Sequence, residues 1–555
     1  MSAPTTNVDP ISRVLSDVRN TADRLTRPAV DDAEMETVDA VLNGVKTWGA
    51  RELDSAKTDA TATIPRAIYQ QAAELGLFGL TIPQEYGGAG LSLLAASRIT
   101  EEMATFDRSV ATAVGLHNGL GLRGLIRFGS PELKQRYLPE LAAGTKLAAF
   151  AATEPGAGSH IAGVKTTGTW DGKEGIRVSG EKAYVTNGAV ADVYTILAST
   201  PGMGGARKGF SLLLVPRALP GVSVGKEEHK LGMKGSSTTP VLFENVQLGV
   251  DHVIGEAGKG LDEIAEVLAW GRTLMSAGCI GTAREALRRT AEYVQTRQQF
   301  GKAIGSFDQV REKVAQMRAR LYAAESLVRL VTLEVSLHGS DIIWESSIAK
   351  VFCSEMVFGV ADDAIQLHGG SGYIEETGIS RIARDCRVTR IFEGANELLR
   401  FHVSAMGLGY PASLVEAKAL SGQVVPELEA EARRFDAFRV RLADTWGTIK
   451  KKYGFRTAEH QLSLARAADA AIGAYTTLAV LLRTDGELKK LAGQTAGDPT
   501  HQAAQKDQLL RLARYACQLL ERQTEDAFAA ATREVDEALV RGLSDLEYEK
   551  TAPRA

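Results

Sequence analysis

The chain is poor in cysteine. Its four thiols, Cys279, Cys353, Cys386 and Cys517, lie far apart and form no CxxC. No disulfide framework is implied, and a reducing compartment is expected. Long apolar runs are also missing. The most apolar stretch, AAIGAYTTLAVLL at 470–482, has 13 residues, too few to span a bilayer, and reads as a buried helix segment. The N-terminus, MSAPTTNVDPISRVL, has no signal-peptide h-region and not the Arg-rich, acid-poor character of a transit peptide. The nine histidines are scattered, with no HExxH and no cluster at zinc spacing, so no metal is expected. GEAGKG at 255–260 lacks the spacer and the GKS/T ending of a P-loop and reads as a turn. No GxSxG elbow appears. There is no basic excess: a net charge of -4 argues against nucleic acid as a partner.

What is present suits a soluble globular protein with a large core, 44% hydrophobic and 24% charged over 555 residues. That length suggests about three or four domains. Residues 1–62 are polar and mixed and read as an N-terminal extension. From 63 to 145 the pattern is helical, broken by the loop PQEYGGAG. Ser130 and Pro131 stand in the order of an N-cap and first helical position, opening ELKQRYLPEL. The texture changes at 146. Short β-branched and aromatic runs punctuated by Gly, Pro and Asn predict a β domain over 146–260. Long helical patterns return over 261–410. A further helical region fills 411–555, where Leu509, Leu512, Ala516, Leu519 and Leu520 keep 3–4 spacing. The predicted fold is mainly α with a central β domain, which does not offer the βαβ setting of a nicotinamide site.

Four stretches carry ligand-binding chemistry. TEPGAGS at 153–159 follows an apolar strand, and its small residues let backbone N–H groups and the Thr153 and Ser159 hydroxyls approach a planar or anionic ligand. AYVTNG at 183–188 puts Tyr184 and Thr186 on one face of a strand, one to stack and one to hydrogen-bond. TRQQFGK at 296–302 ends a helix with Arg297, able to pair bidentately with a phosphate, and Phe300. QLHGGSGY at 366–373 ends another helix in a glycine cluster. Turn chemistry alone explains each of them singly.

Taken in order, with EYGG before them and RIFEGANELLR after, they resemble the acyl-CoA dehydrogenase family from about residue 63 to 408. FAATEPGAGS matches one family signature, and QLHGGSGY with RDCRVTRIFEGANELLR matches the second. The added helical region of about 145 residues resembles the very-long-chain branch. The resemblance implies FAD. It places Phe150, Ala152, Thr153, Gly158, Ser159, Tyr184 and Thr186 along the flavin, with Ala395 and Glu397 also beside the cofactor. Arg297, Phe300, Gln309, Gln366, Gly369 and Gly370 match positions that contact the neighbouring subunit's FAD, which implies a homodimer or higher homo-oligomer. Electrons are expected to pass to an electron-transferring flavoprotein, in a bacterial cytoplasm or a mitochondrial matrix.

Glu393 then acquires a role. The α-proton of an acyl thioester is weakly acidic, so its removal needs a carboxylate at contact distance. The enolate needs donors at the thioester oxygen; in the family these are the base's own N–H and a flavin hydroxyl. The β-hydrogen leaves as hydride. Phe392 shields the carboxylate and raises its pKa, and Gly394 clears the path of the acyl-CoA. Some family members carry the base before the arginine that matches Arg272; that position is Gly271, which cannot act as a base. Arg272 and Ser159 are candidates for binding substrate. Two positions depart from the family pattern, His160 for Asp and Ala395 for Thr. An acyl-CoA oxidase and a non-catalytic scaffold remain as alternatives.

The segment 428–456 raises a separate expectation. Leu428, Phe435, Phe438, Leu442, Trp446 and Ile449 form one apolar stripe, followed by Lys450, Lys451, Lys452, Tyr453 and Phe455. Such a helix can contact a membrane peripherally, as the very-long-chain relatives do through their added region. The preferred reading packs the stripe on the rest of the protein.

Overall fold

A computed structural model describes residues 9–26, 32–173, 175–205, 208–339, 341–494, 498–533 and 537–551. The helices that frame the site are α1 (Pro10–Leu15), α2 (Val18–Thr26), α3 (Asp32–Glu52), α4 (Leu93–Phe106), α5 (Arg108–Leu116), α6 (Gly260–Thr296), α7 (Asp308–His338), α8 (Ile343–His368), α9 (Asn396–Gly407), α10 (Glu429–Tyr453), α11 (Gln461–Ala492) and α12 (Pro499–Thr532). The expected β texture forms one sheet of eight strands: β1 (Ala148–Ala151), β2 (Thr167–Trp170), β3 (Gly175–Thr186), β4 (Val193–Ser199), β5 (Phe210–Pro216), β6 (Val222–Val224), β7 (Thr238–Gly249) and β8 (Val253–Ile254). Their order is β6-β7-β3-β2-β4-β5-β8, with β1 pairing β4 in parallel. The antiparallel β3–β7 pair slips register between Lys182 and Val185, where Tyr184 takes φ 55°. A β-bulge of this kind turns a side chain out of the regular alternation, so strand periodicity alone does not fix where Tyr184 points.

Ser130 caps its helix as read from the sequence: its hydroxyl accepts from the Leu133 N–H, and Pro131 takes the first turn. The described residues before 63 pack into the main body. Val38, Leu42, Val45 and Trp48 of α3 are buried in the same cluster as Ile99 and Met103 of α4. Ile11, Val14, Leu15 and Val18 are buried with residues of the C-terminal helices, among them Phe435, Trp446 and Leu478. Arg13 fixes this contact, donating to Glu334 at 2.8 Å and also pairing with Glu345.

The stripe of the 428–449 segment faces inward. Leu428, Phe435, Phe438, Leu442, Trp446 and Ile449 are all buried in the largest core cluster. The stripe thus packs on the rest of the protein, the preferred reading, while Val440 and Phe455 of the same segment stand exposed, Phe455 at 97%. The ring of Trp446 occupies the space where a Cβ on residue 407 would lie, so Gly407 is what admits it. The apolar run 470–482 is inside too. Helix α11 is long and apolar enough to cross a membrane by length and composition, yet 83% of its most apolar window is buried.

Candidate active site

The loop after the turn Val388–Arg390 delivers Glu393. The Phe392 N–H donates to Val388 O at 3.2 Å. The chain then reverses through two left-handed residues, Glu393 at φ 55° and Gly394 at φ 99°, before α9 begins at Asn396. A non-glycine residue at positive φ costs roughly 1–3 kcal/mol and persists where its surroundings hold it. Two cations do so here. Arg272 Nε donates to Glu393 O at 3.0 Å. Lys350 Nζ donates to Gly394 O and to Asn396 Oδ1, each at 2.8 Å. Asn396 Nδ2 donates in turn to Ser354 Oγ at 3.0 Å and Glu355 Oε1 at 2.9 Å.

The loop leaves two groups unspent. Glu393 Oε2 is buried with no hydrogen-bond partner among the described residues, and the Glu393 N–H donates to none of them. Burial pushes the Glu393 carboxyl up to about 7, against the pull of Arg272, Lys350 and Arg108. Burial also lowers Lys350 to about 8, against Glu393. Gly271 sits opposite: a Cβ there would lie 3.1 Å from Glu393 Oε2 and would collide with Leu120. The position before Arg272 thus faces the same space as the Glu393 carboxylate. Arg272 is buried rather than a solvated surface charge, and its Nε orients the base. Phe392 packs against the cluster of Cys279, Ile280 and Cys386. At Gly394 a Cβ would press on Leu399 at 3.1 Å.

The expected flavin-side residues gather inside the sheet, where the end of β1 meets the end of β3. Thr153 O accepts from the Ala183 N–H at 2.8 Å, which sets TEPGAGS beside the strand carrying Tyr184 and Thr186. Glu154 and Ala157 close the turn by reciprocal backbone bonds of 3.0 Å. Glu154 is buried and pins the turn: its carboxylate accepts from Lys182 Nζ at 2.7 Å, Lys165 N at 2.6 Å and Thr166 N at 2.9 Å. What the turn presents outward is bare. No atom lies within 4 Å of where a Cβ on Gly156 or Gly158 would stand. The hydroxyls of Thr153, Ser159 and Thr186 bond to no described residue, and Tyr184 is 66% exposed. Phe150 and Ala152 lie at the end of β1 and just beyond it.

A second group surrounds the ends of α6 and α8, joined by Tyr293 stacking on His368 at 4.3 Å. Arg297 ends α6, and Phe300, 92% exposed with φ 51°, tips the hairpin Gln298–Gln299 with Lys302–Ala303. Gln309, Gln366, Gly369 and Gly370 are exposed too, and the side chains of Arg297, Gln309 and Gln366 pair with no described residue. Ala395 is half-buried at the loop, and Glu397 is exposed on the first turn of α9.

Sequence reading passed over Lys350, Ser354, Glu355, Asn396, Glu154 and Lys182. Lys350 had a signal: it is the single cation in WESSIAKVFC, a run otherwise apolar and small apart from Glu345. A lone lysine there is buried and bonded, not solvated.

Comparison with known proteins agrees over most of the chain. Residues 35–145, 149–246 and 258–408 match the acyl-CoA dehydrogenase N-terminal, middle and C-terminal domains. The first match begins at residue 35, upstream of the expected start at 63. The human mitochondrial very long-chain specific acyl-CoA dehydrogenase is 33% identical, covering 83% of this chain and 77% of its own length. A probable acyl-CoA dehydrogenase of Bacillus subtilis is 34% identical over 79% of this chain and 77% of its own. A crystal structure of an acyl-CoA dehydrogenase complexed with FAD from Bacillus anthracis superimposes with a TM-score of 0.80 at 28% identity, covering 99% of this chain and 95% of that one.

Proposed function

Because the chain belongs to the acyl-CoA dehydrogenase family, we propose that it dehydrogenates an acyl-CoA thioester at the α,β bond, giving the trans-2-enoyl-CoA, with Glu393 as base. The chain is an FAD-dependent oxidoreductase. The observation that carries the residue assignment is the pair of unspent groups on one residue. Glu393 Oε2 is buried and unpartnered, so it is available to take the α-proton. The Glu393 N–H, also without a partner, donates to the thioester oxygen as the enolate forms. Charge then develops beside a donor already in place, which is where preorganised hydrogen bonds act most strongly.

The carboxyl near 7 sits where general-base catalysis is efficient at neutral pH. Arg272 and Lys350 hold the loop by its carbonyls and leave the carboxylate oxygen free. Thr153, Ser159, Tyr184 and Thr186, with Phe150, Ala152 and Gly158, are the residues that would hold FAD, which supplies the acceptor for the β-hydride when bound. Arg297, Phe300, Gln309, Gln366, Gly369 and Gly370 would reach the FAD of a second copy, so the working unit is at least a homodimer. Electrons then go to an electron-transferring flavoprotein, in a bacterial cytoplasm or a mitochondrial matrix.

Anaerobic addition of an acyl-CoA series to the yellow holoenzyme tests the reaction. Bleaching of the flavin by one or more members, with enoyl-CoA as product, is expected. No bleaching by any member would refute it. Reoxidation by electron-transferring flavoprotein without peroxide separates a dehydrogenase from an oxidase.

A further inference from the structure

Arg108 opens α5 and is only 7% exposed. A cation on so enclosed a residue normally meets a carboxylate. This one forms no ion pair among the described residues. Its one hydrogen bond there runs from Nη2 to Cys279 Sγ, at 3.8 Å, so most of its five N–H donors are unmet. The adjacent Asp107 does not serve it: Oδ1 caps α5 by accepting from the Val110 N–H at 3.0 Å, and Oδ2 is buried with no partner among the described residues.

The surroundings make room for this cation. A Cβ on Gly278 would overlap Arg108 Nη1, so glycine at 278 is what admits the guanidinium. Gly271, the residue facing Glu393 Oε2 at 3.1 Å, lies seven residues earlier on α6. Seven residues make two helical turns, so both glycines share one face about 10 Å apart. Met275 lies between them on that face, its sulfur accepting from Cys279 Sγ at 3.4 Å. In order along α6 come the base, an apolar floor and an unpaired cation. Arg108 also bears on the base, being one of the charges that draw the Glu393 carboxyl down.

We propose that Arg108 is a specificity-determining residue that receives a carboxylate at the far end of the acyl chain. The favoured substrate is then an ω-carboxyacyl-CoA of about eight to ten carbons, the length that spans roughly 10 Å from the base. A bidentate pair with a carboxylate satisfies two donors at once. A methyl-ended chain of the same length leaves the guanidinium desolvated and unpaired, and a site with an unmet polar group discriminates strongly against such a ligand. The inference rests on the dehydrogenation reading above.

The test uses FAD-loaded full-length enzyme with decanedioyl-CoA and decanoyl-CoA. The readout is the ratio of their kcat/KM values. Wild type is expected to favour decanedioyl-CoA about 10-fold or more, and Arg108→Leu to reverse that preference. Gly278→Ala, which displaces the guanidinium without removing it, should lower the same ratio. It also serves as the reading if Arg108→Leu does not fold. A wild-type preference for decanoyl-CoA, or a ratio unmoved by either substitution, overturns the proposal. If neither thioester is oxidised while another acyl-CoA bleaches the flavin, the Arg108 proposal fails and the dehydrogenation reading stands. If no acyl-CoA bleaches it, the dehydrogenation reading fails, and the ratio of dissociation constants of the two thioesters by calorimetry decides the role of Arg108.

Discussion

The loop around Glu393 and helix α10 are built from similar residues, aromatics set among charges, but they spend their bonding capacity differently. On α10, Arg433 pairs with Glu429 at 3.0 Å, Arg434 with Glu521 at 3.4 Å, and Arg441 with Glu525. Its apolar stripe is buried against α11 and α12. At Glu393 the scaffold is bonded, but the carboxylate oxygen and the N–H of the key residue are held back. Burying an unsatisfied polar group costs about 1–3 kcal/mol, and Glu393 adds a left-handed backbone to that. On α10 too, Glu431 Oε2 and Arg439 Nε are buried without a partner among the described residues, so one unmet group does not mark a site. Glu393 differs because its carboxylate oxygen and its N–H are both unmet on a single left-handed residue, and that combination is explained by a ligand that arrives later.

The sharpest way to break this contrast is Glu393→Gln. The amide keeps the size and polarity of the side chain but is no base. Turnover with the best acyl-CoA should fall about 10²–10⁴-fold, while FAD content and acyl-CoA binding persist. Residual activity above about a hundredth of wild type would assign the base elsewhere. Trp446→Ala probes the other region. It empties a fully packed site beside Gly407 and should cost about 3–5 kcal/mol in denaturant unfolding. Flavin bleaching by the protein that remains folded should be unimpaired. Loss of bleaching with little loss of stability would mean that α10 belongs to the active site.

The contrast was only half legible in the sequence. The β texture of 146–260 and the long periodic helices could be read locally, because residues two or 3–4 apart decide them. The dockings of α1 and α3 could not. Arg13 meets Glu334 and Glu345 more than 300 residues away, and no local pattern encodes that. The stripe on α10 was visible, but periodicity shows that a face is apolar, not what covers it. At the site, the resemblance points to Glu393, whereas the sequence reading singles out neither Lys350 nor Arg108. Lys350 gains its role from Gly394 O and Asn396 Oδ1, which the fold brings to it across more than 40 residues, and Arg108 from the partners it lacks.

A pH profile sharpens the comparison further. The base must be deprotonated and its carboxyl lies near 7, so kcat/KM should be full above neutrality. It should fall about tenfold per unit as pH drops below 7, because kcat/KM reports the free enzyme. Lys350 lowers the Glu393 carboxyl by its charge. Lys350→Met should therefore move the acidic limb to higher pH, as well as loosen the loop it bonds. A limb that stays in place would remove Lys350 from the electrostatics of the base and leave it only the two hydrogen bonds.

The smallest effect is expected where charge is densest. Lys450, Lys451 and Lys452 form the last turn of α10. Cations there meet the negative end of the helix dipole, worth about 0.3–1 kcal/mol each at low salt and less when screened. Lys450 also donates weakly to Leu408 O, at 3.4 Å. Replacing all three by Gln should thus lower stability by only about 1 kcal/mol at physiological salt, with turnover unchanged, since none of them contacts the Glu393 loop. The same variant settles the membrane question. With the stripe buried, Phe455 is the large apolar side chain left outside near these charges, so wild type should co-sediment with anionic vesicles no more than weakly at moderate salt and the triple variant not at all. Wild-type binding that survives high salt would require more apolar contact than Phe455 supplies. Binding that vanishes with salt, or in the variant, would reduce to a screened surface attraction between lysines and headgroups.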